Sequence, residues 1–500
     1  MFRRGRLYKH KLAAMGDSMA QGFKNGGIYR TDLSFPALLA RSMGLYSDFH
    51  MPSFSAQTGI PINIEMLVRG LAEKYGDKIT AANSVSAARE LYRTLSRIKS
   101  YWEGHLKSLQ AEQPTPFHNQ SIWGLSISDT MLMTEKYCRE QIINFKPRYS
   151  VFNVLPDNAM YTTARLVLNP AFNPALENNT MADNIGLLSD DGGIENLIVC
   201  IGHNNIVGAV TRLSIIMSEE SDLNTYFENR KCTVFRPEHF KFELRALYHR
   251  ISKLNTKHVY VPTIPYITIP PAIRGVNEDR ESAGSGYFDY YTRFWVWDED
   301  FDPDKHPHLT KDQAIFLDLV VDQYNEIIRR LAYEFDFCVV PVHKYVAAAA
   351  RRRLGNKIIQ PYPAEFLKAL KNNPNTGYMV NNRGWPKIST DYLRLDEKTG
   401  LIDRGGIFSL DGLHPTTIGY GLIANMYRNC MLKRGVQFAY PFDWDFVIEN
   451  ETLVTSPPPL LNNLRLLLRF LAMDGQERVT FLGKSLLELI LESFSSRPEV

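Results

Sequence analysis

The sequence predicts an α/β protein in which a central, mostly parallel sheet lies between two layers of helices. Four short runs are nearly continuous in apolar residues: KLAAM (11–15), NLIVCIG (196–202), HVYVPTIP (258–265) and FCVVPV (337–342). Such runs are typical of strands that are buried on both faces of a parallel sheet. Between the last two, residues 311–335 have apolar positions at helical spacing. Strands that alternate with helices indicate a layered α/β fold.

The first apolar run leads directly into Gly16-Asp17-Ser18. Gly, Asp and Ser are common turn residues, so the tripeptide alone fits an ordinary turn as well as a nucleophile at the end of a strand. A serine nucleophile needs a base within hydrogen-bond reach, and usually a carboxylate that orients this base. The function of Ser18 therefore depends on residues elsewhere in the chain.

Three segments between the predicted strands have the character of insertions. Residues 65–112 show a largely helical pattern, with breaks at Gly76 and Asn83. Residues 146–195 are rich in Asn, Pro and Asp, and we expect long loops there. Residues 266–310 carry a dense aromatic group of Tyr287, Phe288, Tyr290, Tyr291, Phe294, Trp295 and Trp297. This group could form a lid over an acyl chain, a wall on which a sugar stacks or plain packing, and we favour a role near the pocket.

We predict one catalytic domain over residues 8–440, which includes these insertions, and a helical extension over residues 441–500. Within the extension, residues 460–472 are strongly apolar with a few polar positions. A helix of this kind can pack on the core, contact a partner subunit or lie on a membrane surface. Packing on the core is the preferred interpretation, and peripheral membrane contact stays open.

The bulk composition narrows the class of protein. The chain has 500 residues, with 57 Lys and Arg against 54 Asp and Glu, and a net charge of +3. We expect no nucleic-acid partner, since no basic stripe is visible, and no transmembrane segment, since no apolar run is long enough. Five widely spaced cysteines argue against a disulfide framework and against a cysteine zinc site. Without a recognisable signal peptide we expect a cytoplasmic protein, or a secreted one if a leader was removed.

The strongest candidate for a base lies in Asp411-Gly412-Leu413-His414-Pro415. On a tight turn, Asp411 can hold the tautomer of His414 whose other nitrogen faces Ser18. An oxyanion hole also needs donors aimed at one point. Gly124 in the segment 118–129 offers a backbone N–H, and Asn204 follows an apolar strand at the end where open α/β sheets bind ligands.

Four segments, in the right order, resemble the sequence blocks of the GDSL, or SGNH, hydrolase superfamily. The matches are GDSxxxG over 16–22, a second block with Asn119, Ser121, Gly124, Ser126 and Asp129, GxND over 202–205, and DxxHP over 411–415. The chain departs from the pattern at Met19, where Leu is usual, and at Asn205, where Asp is usual. The second change removes a charge and puts the support of the neighbouring Asn204 in question.

The resemblance covers about residues 8–435 and implies a flavodoxin-like SGNH hydrolase fold. It implies that Ser18 is the nucleophile, His414 the general base and Asp411 its partner. It also implies an oxyanion hole formed by the backbone N–H groups of Ser18 and Gly124 and by the side-chain amide of Asn204.

The reaction implied is hydrolysis of a carboxylic ester through an acyl-enzyme, with a lipid-like substrate favoured and with no metal or organic cofactor. Candidate substrate contacts are His203, Asn205 and Trp295. The alternatives are a carbohydrate O-acetylesterase, a thioesterase or an acyltransferase with the same residues, or a binding protein with an inactive site. The oligomeric state stays open.

Overall fold

The computed structural model of the chain describes residues 8–54, 58–80, 82–105, 116–144, 155–156, 158–277, 285–350 and 361–463. The strands are β1 (Ala13–Gly16), β2 (Gly27–Ile28), β3 (Ile60–Pro61), β4 (Ile194–Cys200), β5 (Thr256–Pro262), β6 (Ile273–Gly275), β7 (Tyr290–Arg293), β8 (His308–Thr310), β9 (Cys338–Val340), β10 (Ile388–Ser389), β11 (Arg394–Leu395) and β12 (Ile402–Gly406). The α-helices are α1 (Ser18–Gln21), α2 (Phe35–Ser42), α3 (Ile64–Tyr75), α4 (Ser84–His105), α5 (Asp129–Leu132), α6 (Glu135–Asn144), α7 (Ala159–Leu168), α8 (Met181–Asp190), α9 (Gly208–Arg212), α10 (Pro237–Ile251), α11 (Lys311–Glu334), α12 (Val342–Ala349), α13 (Ala364–Asn372), α14 (Thr417–Lys433), α15 (Trp444–Glu449) and α16 (Thr452–Thr455).

The four strands predicted from the apolar runs form one parallel sheet in the order β1-β4-β5-β9. Residues 118–122 run beside the other edge of β1, where Ala14 donates to the His118 carbonyl and Gln120 donates to the Ala14 carbonyl, each at 2.8 Å. The second extended segment of the chain therefore lies outside the first, which is the flavodoxin-like strand order. In this order the connection that follows β1 runs to one side of it, and the later strands are added on the other side. The switch point therefore lies between β1 and β4, and in open α/β sheets ligands bind there, at the carboxyl ends of the strands.

Helices cover both faces of the sheet. On one side α10 packs against α11, and these helices link β4 to β5 and β5 to β9. Because crossovers between parallel strands are right-handed, both helices lie on the same face. Helices α2 and α14 pack against each other, and the crossover that contains α2 runs the opposite way along the sheet. The predicted three-layer α/β fold is confirmed.

The helix predicted over residues 311–335 is α11. Its first residue follows Thr310, whose hydroxyl accepts a hydrogen bond from the Gln313 N–H, while the Gln313 side chain accepts one from the Thr310 N–H. This reciprocal capping box satisfies two backbone donors that the first turn leaves free. The segment over 65–112 forms α3 and α4 on either side of the expected breaks, and its residues 106–112 lie outside the described part of the chain.

The prediction of long loops over 146–195 is wrong for the described residues of that segment, which contain α7 and α8. Asn158 precedes α7 with a positive φ of 58° and no capping hydrogen bond from its side chain, whereas Thr180 caps α8 together with Asp183 in a second capping box. Asn, Asp and Thr are preferred at helix N-termini as well as in loops, because their side chains accept hydrogen bonds from free backbone N–H groups. Some of the Asn, Asp and Thr residues that suggested loops therefore lie at the N-termini of helices.

The aromatic segment over 266–310 contributes a small antiparallel sheet, in the order β6-β7-β8. Phe288, Tyr291 and Phe294 are buried within it. The ring of Phe294 stacks on that of Tyr392 at a centroid distance of 4.8 Å. Most of this aromatic group therefore forms core and packing contacts.

Beyond α14, helices α15 and α16 pack against the rest of the domain, and Leu460 and Leu461 are buried. The boundary between a domain over 8–440 and an extension over 441–500 stays a prediction, since residues 464–500 lie outside the described ranges. Among the helices that the structure describes, none combines the length and the apolar character that crossing a membrane requires.

Candidate active site

Ser18 is the first residue of α1 and lies just beyond the carboxyl end of β1. The ends of β1 and β4 can approach closely because Gly16 has no side chain, and a Cβ at this position would lie 2.0 Å from the carbonyl oxygen of Cys200 in β4. Asp17 begins the helix by accepting a hydrogen bond from the Met19 N–H at 3.0 Å. Ser18 is therefore held at the point where the strand order reverses.

The structure brings Ser18, His414 and Asp411 into one chain of hydrogen bonds. His414 Nε2 lies 3.0 Å from Ser18 Oγ, and His414 Nδ1 lies 3.2 Å from Asp411 Oδ2. Ser18 and His414 are 396 residues apart in sequence. An imidazole that contacts both a hydroxyl and a carboxylate is the arrangement that activates a serine nucleophile.

Asp411 is held in its ionised form. Burial alone would raise the pKa of Asp411, but the charge of His414 and hydrogen bonds from His414 and Leu413 lower it, and the net shift is downward. The other carboxylate oxygen accepts hydrogen bonds from the backbone N–H groups of Leu413 at 2.9 Å and His414 at 2.8 Å. An ionised carboxylate only accepts, so His414 donates from Nδ1 and turns the lone pair of Nε2 towards Ser18.

A turn at Asn25 and Gly26 fixes the loop that carries Asp411, and sequence reasoning missed both residues. The Gly26 N–H donates to Asp411 Oδ2 at 3.0 Å, and the Leu410 N–H donates to Asn25 Oδ1 at 3.0 Å. The Asn25 N–H donates to Ser409 Oγ at 2.9 Å. The Asn-Gly pair is a strong turn signal, and both residues have positive φ, 53° and 83°. No local sequence pattern, however, indicates that this turn contacts the loop of residues 409–411.

The three expected oxyanion donors are connected through the segment 123–125. Gly124 has φ 82°, the Trp123 N–H donates to Gln21 Oε1 at 2.8 Å, and Asn204 Nδ2 donates to the Leu125 carbonyl at 2.8 Å. Asn204 keeps a second amide hydrogen for another acceptor. Within the described ranges the N–H groups of Ser18 and Gly124 have no hydrogen-bond partner. Asn204 lines the cleft that contains Ser18, whereas Gly124 lies on the adjoining loop.

Ser18 and His414 lie in the wall of one cleft that is open to solvent. Its polar end consists of Ser18, His203, Asn204 and His414. Almost all the other lining side chains are apolar, and they include Val207, Ile267, Val342, Leu422, Ile423 and Met426. A mostly apolar cleft with a few convergent polar groups is the usual form of a small-molecule site.

His203 also lines this cleft and forms a second acid–imidazole pair, in which Nδ1 lies 2.8 Å from Asp17 Oδ2. Asp17, Cys200 and His203 place one ligand atom each within 4.8 Å of one another. Both oxygens of Asp17 already accept hydrogen bonds, and burial, with the charge of Asp17, raises the pKa of the Cys200 thiol well above its usual value. Metal ligands must be deprotonated, so these three groups fit a hydrogen-bonded cluster better than a metal site.

Two of the expected substrate contacts, Asn205 and Trp295, are not among the residues that line this cleft. Asn205 is buried, and its side chain accepts from the Ile127 N–H at 3.2 Å and donates to Glu243 at 3.4 Å, so it supports the loop behind the cleft. Trp295 is not among the residues that line the cleft, and its ring packs edge-on against Phe294 at 4.9 Å. His203 stays a candidate contact.

No protein-family model and no curated protein matches the chain. Its fold is similar to that of two solved structures. One is LAE5, described as an alpha/beta hydrolase enzyme from the metagenome of Lake Arreo, with 13% identity, coverage of 85% of this chain and 95% of that chain, and a TM-score of 0.26. The other is described as a "putative GDSL-like lipase" from Parabacteroides merdae, with 12% identity, coverage of 85% and 97%, and a TM-score of 0.28. Similarity this distant does not bear on activity.

Proposed function

We propose that this protein is a serine hydrolase that cleaves carboxylic esters and binds an apolar acyl chain in the cleft beside Ser18. The observation that carries the proposal is the 3.0 Å contact between His414 Nε2 and Ser18 Oγ, with Asp411 behind the imidazole. The neighbouring amide of Asn204 supports it, because acyl transfer needs donors for the developing oxyanion.

The reaction proceeds in two halves. Ser18 Oγ attacks the ester carbonyl while its proton passes to His414 Nε2, and the oxyanion is held by the N–H groups of Ser18 and Gly124 and by Asn204. The carbon–oxygen bond to the alcohol then breaks, and the alcohol leaves with the proton from His414. A water molecule next attacks the acyl-enzyme and gives a proton to His414. The acid departs as Ser18 recovers its proton.

The lining of the cleft favours a lipid-like acyl group. A long alkyl chain gains free energy roughly in proportion to the apolar area that it removes from water, at about 25 cal/mol per Å². An acetylated carbohydrate would bring many hydroxyl groups against apolar side chains and leave them without partners. The proposal therefore prefers an acyl chain over a sugar in this cleft.

Labelling by a fluorophosphonate, followed by hydrolysis of esters with graded acyl length, tests the proposal. We expect covalent labelling of the wild-type chain at Ser18, and a fall in kcat on the order of 10⁶-fold in Ser18→Ala, as when a triad serine is removed. Ser47→Ala serves as the matched control, since Ser47 is exposed on a turn.

Labelling of Ser18 together with a preference for longer acyl chains would support the proposal. An unlabelled Ser18 with no turnover of any ester would indicate a binding protein with an inactive site. Activity confined to acetyl esters would replace the lipid-like substrate by a carbohydrate ester.

A further inference from the structure

The cleft extends away from His414 along one face of α14. Gly419, Leu422, Ile423 and Met426 line it at the spacing of a single helix face. At about 1.5 Å of rise per residue, the distance from Gly419 to Met426 is roughly 10 Å. An extended alkyl chain advances by slightly less than one C–C bond of about 1.5 Å per carbon, so this wall accommodates about eight carbons.

Helix α12 also lines the cleft, and it carries a polar group that the proposed reaction does not use. Val342, Tyr345 and Val346 of α12 line the cleft together. The hydroxyl oxygen of Tyr345 is buried and has no hydrogen-bond partner in the part of the chain that the structure describes. Burial also raises the pKa of this phenol, so the hydroxyl stays protonated and can both donate and accept. A buried polar group without a partner is uncommon in folded proteins and calls for an explanation.

We infer that Tyr345 is a specificity-determining residue, whose hydroxyl hydrogen-bonds a hydroxyl or oxo substituent on an acyl chain of about eight carbons. The inference rests on the proposed esterase function and makes that function more specific. An unsubstituted chain would leave the Tyr345 hydroxyl buried and unpaired, whereas a substituent in register with it would pair both groups. Hydroxyl and oxo groups share this chemistry, since each accepts a hydrogen bond from a phenol.

The size of the preference follows from the cost of one unpaired buried hydroxyl. We expect a substituted chain to be hydrolysed roughly tenfold or more efficiently, in kcat/KM, than the unsubstituted chain. Tyr345→Phe removes the hydroxyl and keeps the ring, so it should raise kcat/KM for the plain chain and lower it for the substituted one. The two changes together should bring the ratio close to one.

The experiment compares p-nitrophenyl octanoate with octanoates that carry one hydroxyl or one oxo group near the carboxyl, at mid-chain or at the chain end. Wild type, Tyr345→Phe and Tyr427→Phe are assayed side by side. Tyr427→Phe is the matched control, because Tyr427 is a buried tyrosine of α14 whose ring stacks on Phe35 and which does not line the cleft. Thermal unfolding of each variant checks that the fold is retained.

A ratio that favours one substituted ester in the wild type and in Tyr427→Phe, and that collapses in Tyr345→Phe, would support the inference. The arm that gives the largest ratio distinguishes a hydroxyl from an oxo group. Hydrolysis of all esters with the same ratio in the three proteins would overturn the role of Tyr345 and leave the esterase proposal standing. No hydrolysis of any ester, with Ser18 unlabelled by a fluorophosphonate, would overturn both.

Discussion

The cleft contains two histidines that are each hydrogen-bonded to a carboxylate, in the pairs Asp411–His414 and Asp17–His203, and the two imidazoles differ in their other contacts. His414 is oriented by Asp411 and contacts Ser18 Oγ at 3.0 Å, whereas His203 is bonded to Asp17 at 2.8 Å and lines the cleft. Asp17 is fully buried, and its second oxygen caps the helix that begins at Ser18. In our proposal the same pair of residue types supplies a base in one place, and in the other it holds the helix that begins at Ser18.

This difference shows that a carboxylate behind a histidine does not identify a general base. A general base must lie within hydrogen-bond distance of the proton that it removes, and this distance is the first criterion for assigning the role, before the pKa. The Asp411–His414 pair meets this condition at Ser18. We infer that Asp17 and His203 act mainly as positioning residues for Ser18 and Asn204.

The largest expected effect is the difference in kcat between variants of His414 and His203. Substitution of His414 by Gln removes the proton acceptor for Ser18, and we expect kcat to fall on the order of 10⁶-fold. His203→Gln keeps a donor for Asp17, and we expect kcat to fall less than about tenfold, since acid–base work is worth about 10²–10⁴-fold where a side chain performs it. Steady-state ester hydrolysis by the two purified variants measures both effects. Equal losses in the two variants would mean that His203 takes part in proton transfer.

A smaller effect separates the adjacent residues Asn204 and Asn205. Loss of one oxyanion donor costs about 10²–10³-fold in kcat, and we expect this result for Asn204→Ala. Asn205→Ala should act mainly on the free energy of unfolding, by about 1–3 kcal/mol, because it leaves the buried Ile127 N–H without its acceptor and removes one donor to Glu243. Kinetics and denaturant unfolding of both variants give the comparison. An Asn204→Ala enzyme with unchanged turnover would remove that residue from the oxyanion hole.

A third histidine, His118, does not line the cleft, and its hydrogen-bond partners are a backbone N–H and another histidine. His118 Nδ1 accepts a hydrogen bond from the His50 N–H at 3.0 Å, and its Nε2 lies 3.0 Å from His10 Nδ1. Burial, with smaller contributions from the charges of His10 and His50, lowers the pKa of His118 from 6.5 to about 4. The folded protein therefore requires His118 to be neutral, while the unfolded chain binds a proton at the ordinary pKa.

This shift predicts a third effect, a loss of stability in mild acid that leaves the chemistry at Ser18 unchanged. A folded-state pKa below the unfolded value stabilises the protein above pH 6.5, and the contribution is lost as the pH falls towards about 4. At 1.36 kcal/mol per pKa unit, the loss amounts to about 3 kcal/mol. Urea unfolding across this range should show a pH dependence that is weaker in His118→Asn. An identical dependence in both proteins would rule out His118 as its source.

The fold was largely predictable because its signals are local. The four apolar runs predicted the four strands of the parallel sheet, since a strand that is buried on both faces has to be apolar along its length. The segment 146–195 misled because Asn and Asp occur at helix caps for the same reason that they occur in loops. The catalytic roles stay predictions for all five site residues: Ser18, Gly124, Asn204, Asp411 and His414. The structure does place Ser18, Asn204 and His414 in the wall of one cleft, and Asp411 is hydrogen-bonded to His414.

What the sequence determined by itself is the chemistry available at the ends of the strands: a serine after β1, an amide after β4 and an Asp–His turn before α14. The tertiary structure alone decided which imidazole reaches Ser18, that Asn25 and Gly26 hold the Asp411 loop, and that Tyr345 rather than Trp295 lines the cleft. The reason is that these contacts join segments hundreds of residues apart. Their distances depend on how helices α12 and α14 pack on the sheet, and no local pattern records that packing.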